Sequence, residues 1–164
     1  MKSLLIPLAL VGLLFPVLGA ADSRAQISAV TMHRSACYGP CPIYTVSVTS
    51  GGLVTFNGEK HVHVLGRRTS HIGPGDFAFL AEAVERLNFF ELHGQYITEI
   101  DGCPESWTDN PTVDIEVTRG DIRKHVTYYY GCRGLAITKR IAWLSDTIDD
   151  VTNTAQWVGA NDAF

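Results

Sequence analysis

Residues 43–65 read IYTVSVTSGGLVTFNGEKHVHVL, and the order of apolar and polar side chains in this stretch decides the fold class. Tyr44, Val46 and Val48 share one parity while Thr45, Ser47 and Thr49 share the other. That is the period of a half-buried strand, whose successive side chains point to opposite faces. Ser50-Gly51-Gly52 and Asn57-Gly58 are tight-turn signals, the second a type I′ pair, so Leu53–Phe56 and Glu59–Leu65 are predicted to continue an antiparallel meander. On the N-terminal side Gln26–His33 alternates as a first strand, with Ile27, Ala29 and Thr31 on one side and Ser28, Val30 and Met32 on the other. The pattern does not say which side is buried.

Beyond the meander, Pro74-Gly75-Asp76 opens a helix in which Phe77, Leu80, Ala81, Val84 and Leu87 form one apolar stripe, with Glu82, Glu85 and Arg86 on the wet side. Glu91 to Asn110 carries no regular pattern, and about 20 such residues are unusual in a compact domain. A tie through Cys103 is expected to hold them. In Pro111–Thr118, Val113, Ile115 and Val117 alternate with Asp114, Glu116 and Thr118, and Gly120-Asp121 turns the chain into Ile122–Tyr130, a second hairpin. Ile137, Ile141, Leu144, Ile148 and Val151 then mark a second helix, opposite Lys139, Arg140, Asp146 and Asp150. The residues from about 153 read as a loose tail anchored at most by Trp157. Hairpin connections and two amphipathic helices predict an α+β domain, with an antiparallel sheet of about five or six strands (meander plus hairpin) and two helices packed on one face.

The chain has 164 residues, 46% hydrophobic and 18% charged, a mix that excludes collagen, coiled coil and wholesale disorder. Lys2, the apolar run Leu4–Leu18 and the small residues Gly19-Ala20-Ala21 read as a signal peptide over residues 1–21, leaving 22–164 as a single globular domain. The run is shorter than the roughly 20 residues of a spanning helix, and no later stretch is long and apolar enough to cross a bilayer. Removal of Lys2 leaves 12 basic against 17 acidic side chains, a balance that argues against a nucleic-acid groove. The expected location is exported, either periplasmic or secreted.

All four cysteines, Cys37, Cys41, Cys103 and Cys132, lie after the signal segment, and an even count in an exported chain points to disulfides. Three pairings are open to them. Tyr38-Gly39-Pro40 can turn sharply enough to join Cys37 to Cys41, which leaves Cys103 for Cys132.

The run Cys37-Tyr38-Gly39-Pro40-Cys41-Pro42-Ile43-Tyr44, followed by an alternating strand, Gly-rich hairpins and a Phe-Leu helix, resembles a bacterial exported family known as domain of unknown function 6438. The likeness covers most of residues 27 to 150. The family signature is similar to Cys-x-Gly-x-Cys-Pro-x-Tyr, with a later Asp-x-Pro that resembles Asp109-Asn110-Pro111. Cys103 and Cys132 lie outside that signature. The resemblance implies no activity, substrate or catalytic residue.

Several residue groups invite a chemical role. Cys37-x-x-x-Cys41-Pro42 matches the spacing of exported copper chaperones of the thioredoxin-like class, so copper binding or thiol redox at Cys37 and Cys41 is the alternative to a structural bridge. Against it, the residues after Cys41 read as strand rather than as the helix whose N-terminus would activate a thiol. His61 and His63, two apart on a predicted strand, project from one face and lack further ligands unless His71 or His33 joins them. Tyr128 and Tyr130 share a face opposite Tyr129 and read as packing. Arg119-Gly120-Asp121 sits at a hairpin tip as a displayed tripeptide or simply a turn. Asp109 with Asp114, or Asp101 with Glu105, would be the carboxylate pairs of a hydrolase, although nothing in their spacing favours that. No motif calls for a cofactor. The reading favours a non-enzymatic role, a binding or structural part in the cell envelope whose partner is an envelope protein or peptide.

Overall fold

The computed structural model describes residues 26–159. The predicted signal segment, 1–21, lies outside the described residues. The chain forms β1 (Ile27–Arg34), β2 (Ile43–Thr49), β3 (Leu53–Lys60), β4 (Gly66–His71), α1 (Pro74–Arg86), β5 (Gln95–Tyr96), β6 (Glu105–Ser106), β7 (Thr112–Arg119), β8 (Ile122–Tyr129), β9 (Cys132–Arg133), α2 (Ala136–Thr152) and α3 (Ala155–Val158). One sheet of seven strands runs in the order β4-β3-β2-β1-β7-β8-β5, and β6 pairs with β9 in a separate ribbon. The class is α+β as expected, but the sheet is larger than five or six strands and is mixed, because β5 joins β8 in parallel. Two-residue strands leave almost no periodic trace in a sequence.

The meander and the hairpin meet at β1, which lies antiparallel between β2 and β7. One sheet face buries Val30, Met32, Tyr44, Val46, Val48, Val54, Phe56, Val113, Ile115, Val117 and Val126 against Phe77, Leu80 and Val84 of α1 and Ile141, Leu144 and Ile148 of α2. The alternation in β2 and β7 therefore reports the core face faithfully. In β1 it is ambiguous because the register shifts between Ile27 and Ala29, which lets Ile27 and Val30 both face inward at odd spacing.

Two expectations are corrected. Asn57-Gly58 is not a turn: β3 runs through it, Gly58 pairs with both Tyr44 and Gly66, and the reversal comes later, where His61 takes φ 54°. A Cβ at position 58 would collide with the Val64 carbonyl oxygen and come within 2.8 Å of Val62 Cγ2. The glycine is there for close approach of the 62–64 backbone, and the fourth strand is displaced from Glu59–Leu65 to Gly66–His71. Nor is the chain loose just after 153. Asn153 closes α2 in a left-handed conformation, α3 follows, and Trp157 stacks on Phe56 with ring centroids 4.9 Å apart. The amides of His63 and Val64 donate to the Val158 and Trp157 carbonyls, so this segment clamps the β3–β4 turn.

Candidate functional site

The polar centre of the molecule grows out of the Cys37–Tyr44 run. Arg34 ends β1 and Tyr44 is the second residue of β2, and the two are register partners. The chain between them is closed by the Cys37–Cys41 disulfide. Both residues occupy the core parity of their strands, so both side chains enter the layer between sheet and helices. Arg34 is 2% exposed. A guanidinium so deeply buried needs a paired charge and saturated hydrogen bonds.

Both come from α2. Arg34 donates from Nε and Nη2 to Asp149 Oδ2 at 3.0 and 2.7 Å, and from Nη2 to Asp146 Oδ1 at 3.1 Å. Nη1 donates to the Tyr130 hydroxyl at 2.8 Å. Ser145 gives its proton to the Ala142 carbonyl, so at the 2.7 Å contact between them Tyr130 donates to Ser145. The other Asp149 oxygen accepts from Tyr44 at 2.7 Å and from Thr154 at 2.8 Å. With four donors on two oxygens the Asp149 carboxylate is saturated.

Electrostatics follow from this geometry. Burial works against the Arg34 charge, but Asp149 and the phenols of Tyr130 and Tyr44 outweigh it and hold the guanidinium protonated above its ordinary range. Burial, then the Asp149 carboxylate, push the Tyr44 phenol well above its ordinary value of 10.0. Unfolded, Tyr44 ionises near that value; folded, it resists ionisation until a higher pH. Its contribution is therefore whole below pH 10 and lost as the pH rises beyond it. Tyr44→Phe is expected to cost about 1.5–3 kcal/mol at neutral pH, the range for a hydrogen bond to a charged group. It should also flatten the alkaline loss of stability, which urea titrations across pH would measure.

Above this lock opens a pocket of about 350 Å³, lined by Arg34, Tyr44, Asp146, Asp149, Asp150 and the turn into α3. Asp146 stands at its mouth, 65% exposed, and burial lifts its carboxyl above the ordinary range even though Arg34 pulls the other way.

Beyond the lock, the sheet ends in two fastened loops. The disulfide-closed loop carries Tyr38, 88% exposed, and the 107–110 loop carries Trp107, 59% exposed. Cys103–Cys132 fastens the second loop from below, where β6 lies along β9, and the Trp107 amide donates to Gly131 at 2.9 Å. A side chain at 131 would collide with the Trp107 carbonyl and the Tyr129 ring, so glycine there lets the loop seat closely. The Tyr38 amide donates to the Asp109 carbonyl at 3.3 Å, joining the two loops. Arg133 lies over the Trp107 ring, 5.5 Å from its centroid.

A family model described as Domain of unknown function (DUF6438) matches residues 28–152. The chain belongs to the DUF6438 family. The DUF6438 match takes in Arg34, Tyr44, Tyr130, Asp146, Asp149 and all four cysteines; Thr154 and the Trp157 clamp fall just beyond it. No curated protein matches the chain.

The other residues singled out from sequence are scattered. Cys41 leads through Pro42 into β2, so no helix N-terminus stands over that sulfur. His61 and His63 lie in the β3–β4 turn rather than on a strand, because β3 ends at Lys60, and His63 rests close to Gly159. His71 ends β4 opposite Leu53, and His33 faces Asp114 at 3.7 Å. Among the described residues no group of three or more His, Cys, Asp or Glu could hold a metal. Arg119 is withdrawn from the hairpin tip, 3.7 Å from the Phe90 ring centroid and bonded to Glu85 at 3.3 Å. Asp114 accepts from Thr127 at 2.6 Å, while Asp101 accepts from Gln95 at 2.6 Å and Glu105 from Trp107 at 3.3 Å. Each of these carboxylates has a local structural partner. Tyr128 and Tyr130 lie side by side at 4.8 Å, on one face as expected.

The lock itself is nearly invisible in the sequence. Its one legible signal is an arginine on the parity of Val30 and Met32, and ending the strand at His33 hides it.

Proposed function

We propose that this is an exported, disulfide-stabilised binding domain of the cell envelope, engaging an envelope protein or peptide through the loop end that carries Tyr38 and Trp107. One observation carries the reading: two large aromatic side chains stand in solvent on loops fastened by disulfides and tied to each other through Tyr38 and Asp109. Aromatic anchors on a rigid support bind with little ordering cost, and two bridges in a chain with no free cysteine among the described residues suit an oxidising compartment. No described helix is long and apolar enough to cross a membrane, and the leader over 1–21 would direct export. The saturated Asp149 supports a stabilising role for the lock beneath.

The test is photo-crosslinking in the natural host, with a photoreactive residue at Tyr38, at Trp107 or, as control, at Glu82 on the exposed side of α1. A discrete adduct from the first two positions and none from the third is the expected result. Adducts from all three, or from none, would overturn the reading. Sequencing the mature N-terminus separates export from binding, since a chain starting at Asp22 is expected.

A further inference from the structure

The exposed side of α2 is a single stripe formed by Ala136, Lys139, Arg140, Trp143, Asp146 and Asp150. Its charges are segregated: both cations precede Trp143 and both carboxylates follow it. That order opposes the helix dipole, which favours acidic groups in the first turn and basic groups in the last; α2 has neither. The lock with Arg34 accounts for Asp149 and for one oxygen of Asp146, but not for Lys139, Arg140 or Asp150.

The middle of the stripe, from Arg140 to Asp146, is instead complementary to itself when reversed. Arg140 and Asp146 lie three residues either side of Trp143, about 4.5 Å along the axis at about 1.5 Å per residue. If a second copy is laid antiparallel with the twofold axis at Trp143, each Arg140 meets the other copy's Asp146 and the two helix dipoles run opposed. Trp143, 51% exposed, meets its counterpart at the centre. Beside it a cleft of about 160 Å³, lined by Ala83, Leu87, Arg86 and Lys139, extends the face towards α1.

We propose that this stripe of α2 is the interface of a symmetric homodimer, docked antiparallel onto the same stripe of a second copy. Residue i of one chain meets residue j of the other and the reverse, as an isologous contact demands. The proposal goes beyond the loop-end binding reading and does not depend on it. Arg140 donates to the Arg86 carbonyl at 2.6 Å and Asp146 accepts from Arg34, contacts that hold each group in place and leave further polar atoms for the partner chain.

Sedimentation velocity on the mature chain, at high micromolar concentration and low salt, tests this. A dimer mass is expected, weakening as salt rises because the charge pairs are screened. Arg140→Glu and Asp146→Lys each juxtapose like charges twice and should weaken association by at least about tenfold, and Trp143→Ser should do the same. Circular dichroism checks that each variant is folded. The decisive arm mixes Arg140→Glu with Asp146→Lys. Across a mixed interface the carboxylate introduced at position 140 faces the ammonium introduced at position 146, while the unchanged Asp146 of the first chain faces the unchanged Arg140 of the second. A heterodimer is therefore expected where neither variant self-associates. A monomer at every concentration, or a dimer indifferent to all three substitutions, would overturn the proposal, as would failure of the mixture to associate.

Discussion

Replacing Arg34 by Met is expected to lower the unfolding free energy by about 3–5 kcal/mol, the cost of breaking a buried ion pair from one side. Met fills most of the volume of the arginine stem, so the loss arises from the groups left behind. Asp149, itself 20% exposed, loses two of its four donors, and Tyr130 loses the guanidinium that donates to its hydroxyl. A domain of this size has about 5–15 kcal/mol in total, so the variant should unfold at a far lower urea concentration, its midpoint shifted with little change of slope. A shift of less than about 1 kcal/mol would place the pair among the weak exposed ion pairs and would contradict its burial.

Removing Cys103–Cys132 by a paired Cys→Ala change is expected to cost about 3.6 kcal/mol by loop closure, against about 2 kcal/mol for Cys37–Cys41. The bridges span 29 and 4 residues, and the longer constrains far more of the unfolded chain. It also holds a region with little regular structure of its own. Between Leu92 and Asn110 the chain has only the two-residue strands β5 and β6 and one turn of 3-10 helix at Glu99–Asp101. Limited proteolysis should therefore open the variant first within residues 97–110, before global unfolding. Cleavage elsewhere, or equal losses for the two bridges, would show that this loop is held by something other than the disulfide.

Much of the fold is legible in the sequence because burial here follows strict local periods. Tyr44, Val46 and Val48, then Val113, Ile115 and Val117, alternate because one sheet face is covered and the other is not. Phe77, Leu80 and Val84 recur as α1 turns. The failures share a cause: partners distant in sequence. Gly58 resembles a turn until the approach of Val64 gives it another purpose. The segment after Asn153 resembles a tail because Trp157 packs on Phe56, far back in β3.

The candidate site is least legible for the same reason. Arg34 and Asp149 are 115 residues apart, and no local period links a strand end to the flank of a helix stripe. Asp149 follows Ile148 and belongs to neither the apolar stripe nor the polar side read for the second helix, and its role emerges only when α2 is laid on the sheet. The residues that do stand out, Cys37 through Tyr44, matter for a reason their spacing alone does not disclose: their closed turn sets Arg34 and Tyr44 side by side, both aimed at one carboxylate.

A double-mutant cycle between Arg34 and Asp149, measured by urea unfolding with Arg34→Met, Asp149→Leu and the pair together, asks directly whether the two residues act as one unit. The two single changes should each be severe, and the double variant should recover about 3 kcal/mol relative to their sum, because two apolar side chains leave no buried charge unpaired. Additive losses would mean that Arg34 and Asp149 stabilise the fold independently, and the lock between sheet and helix would have to be given up.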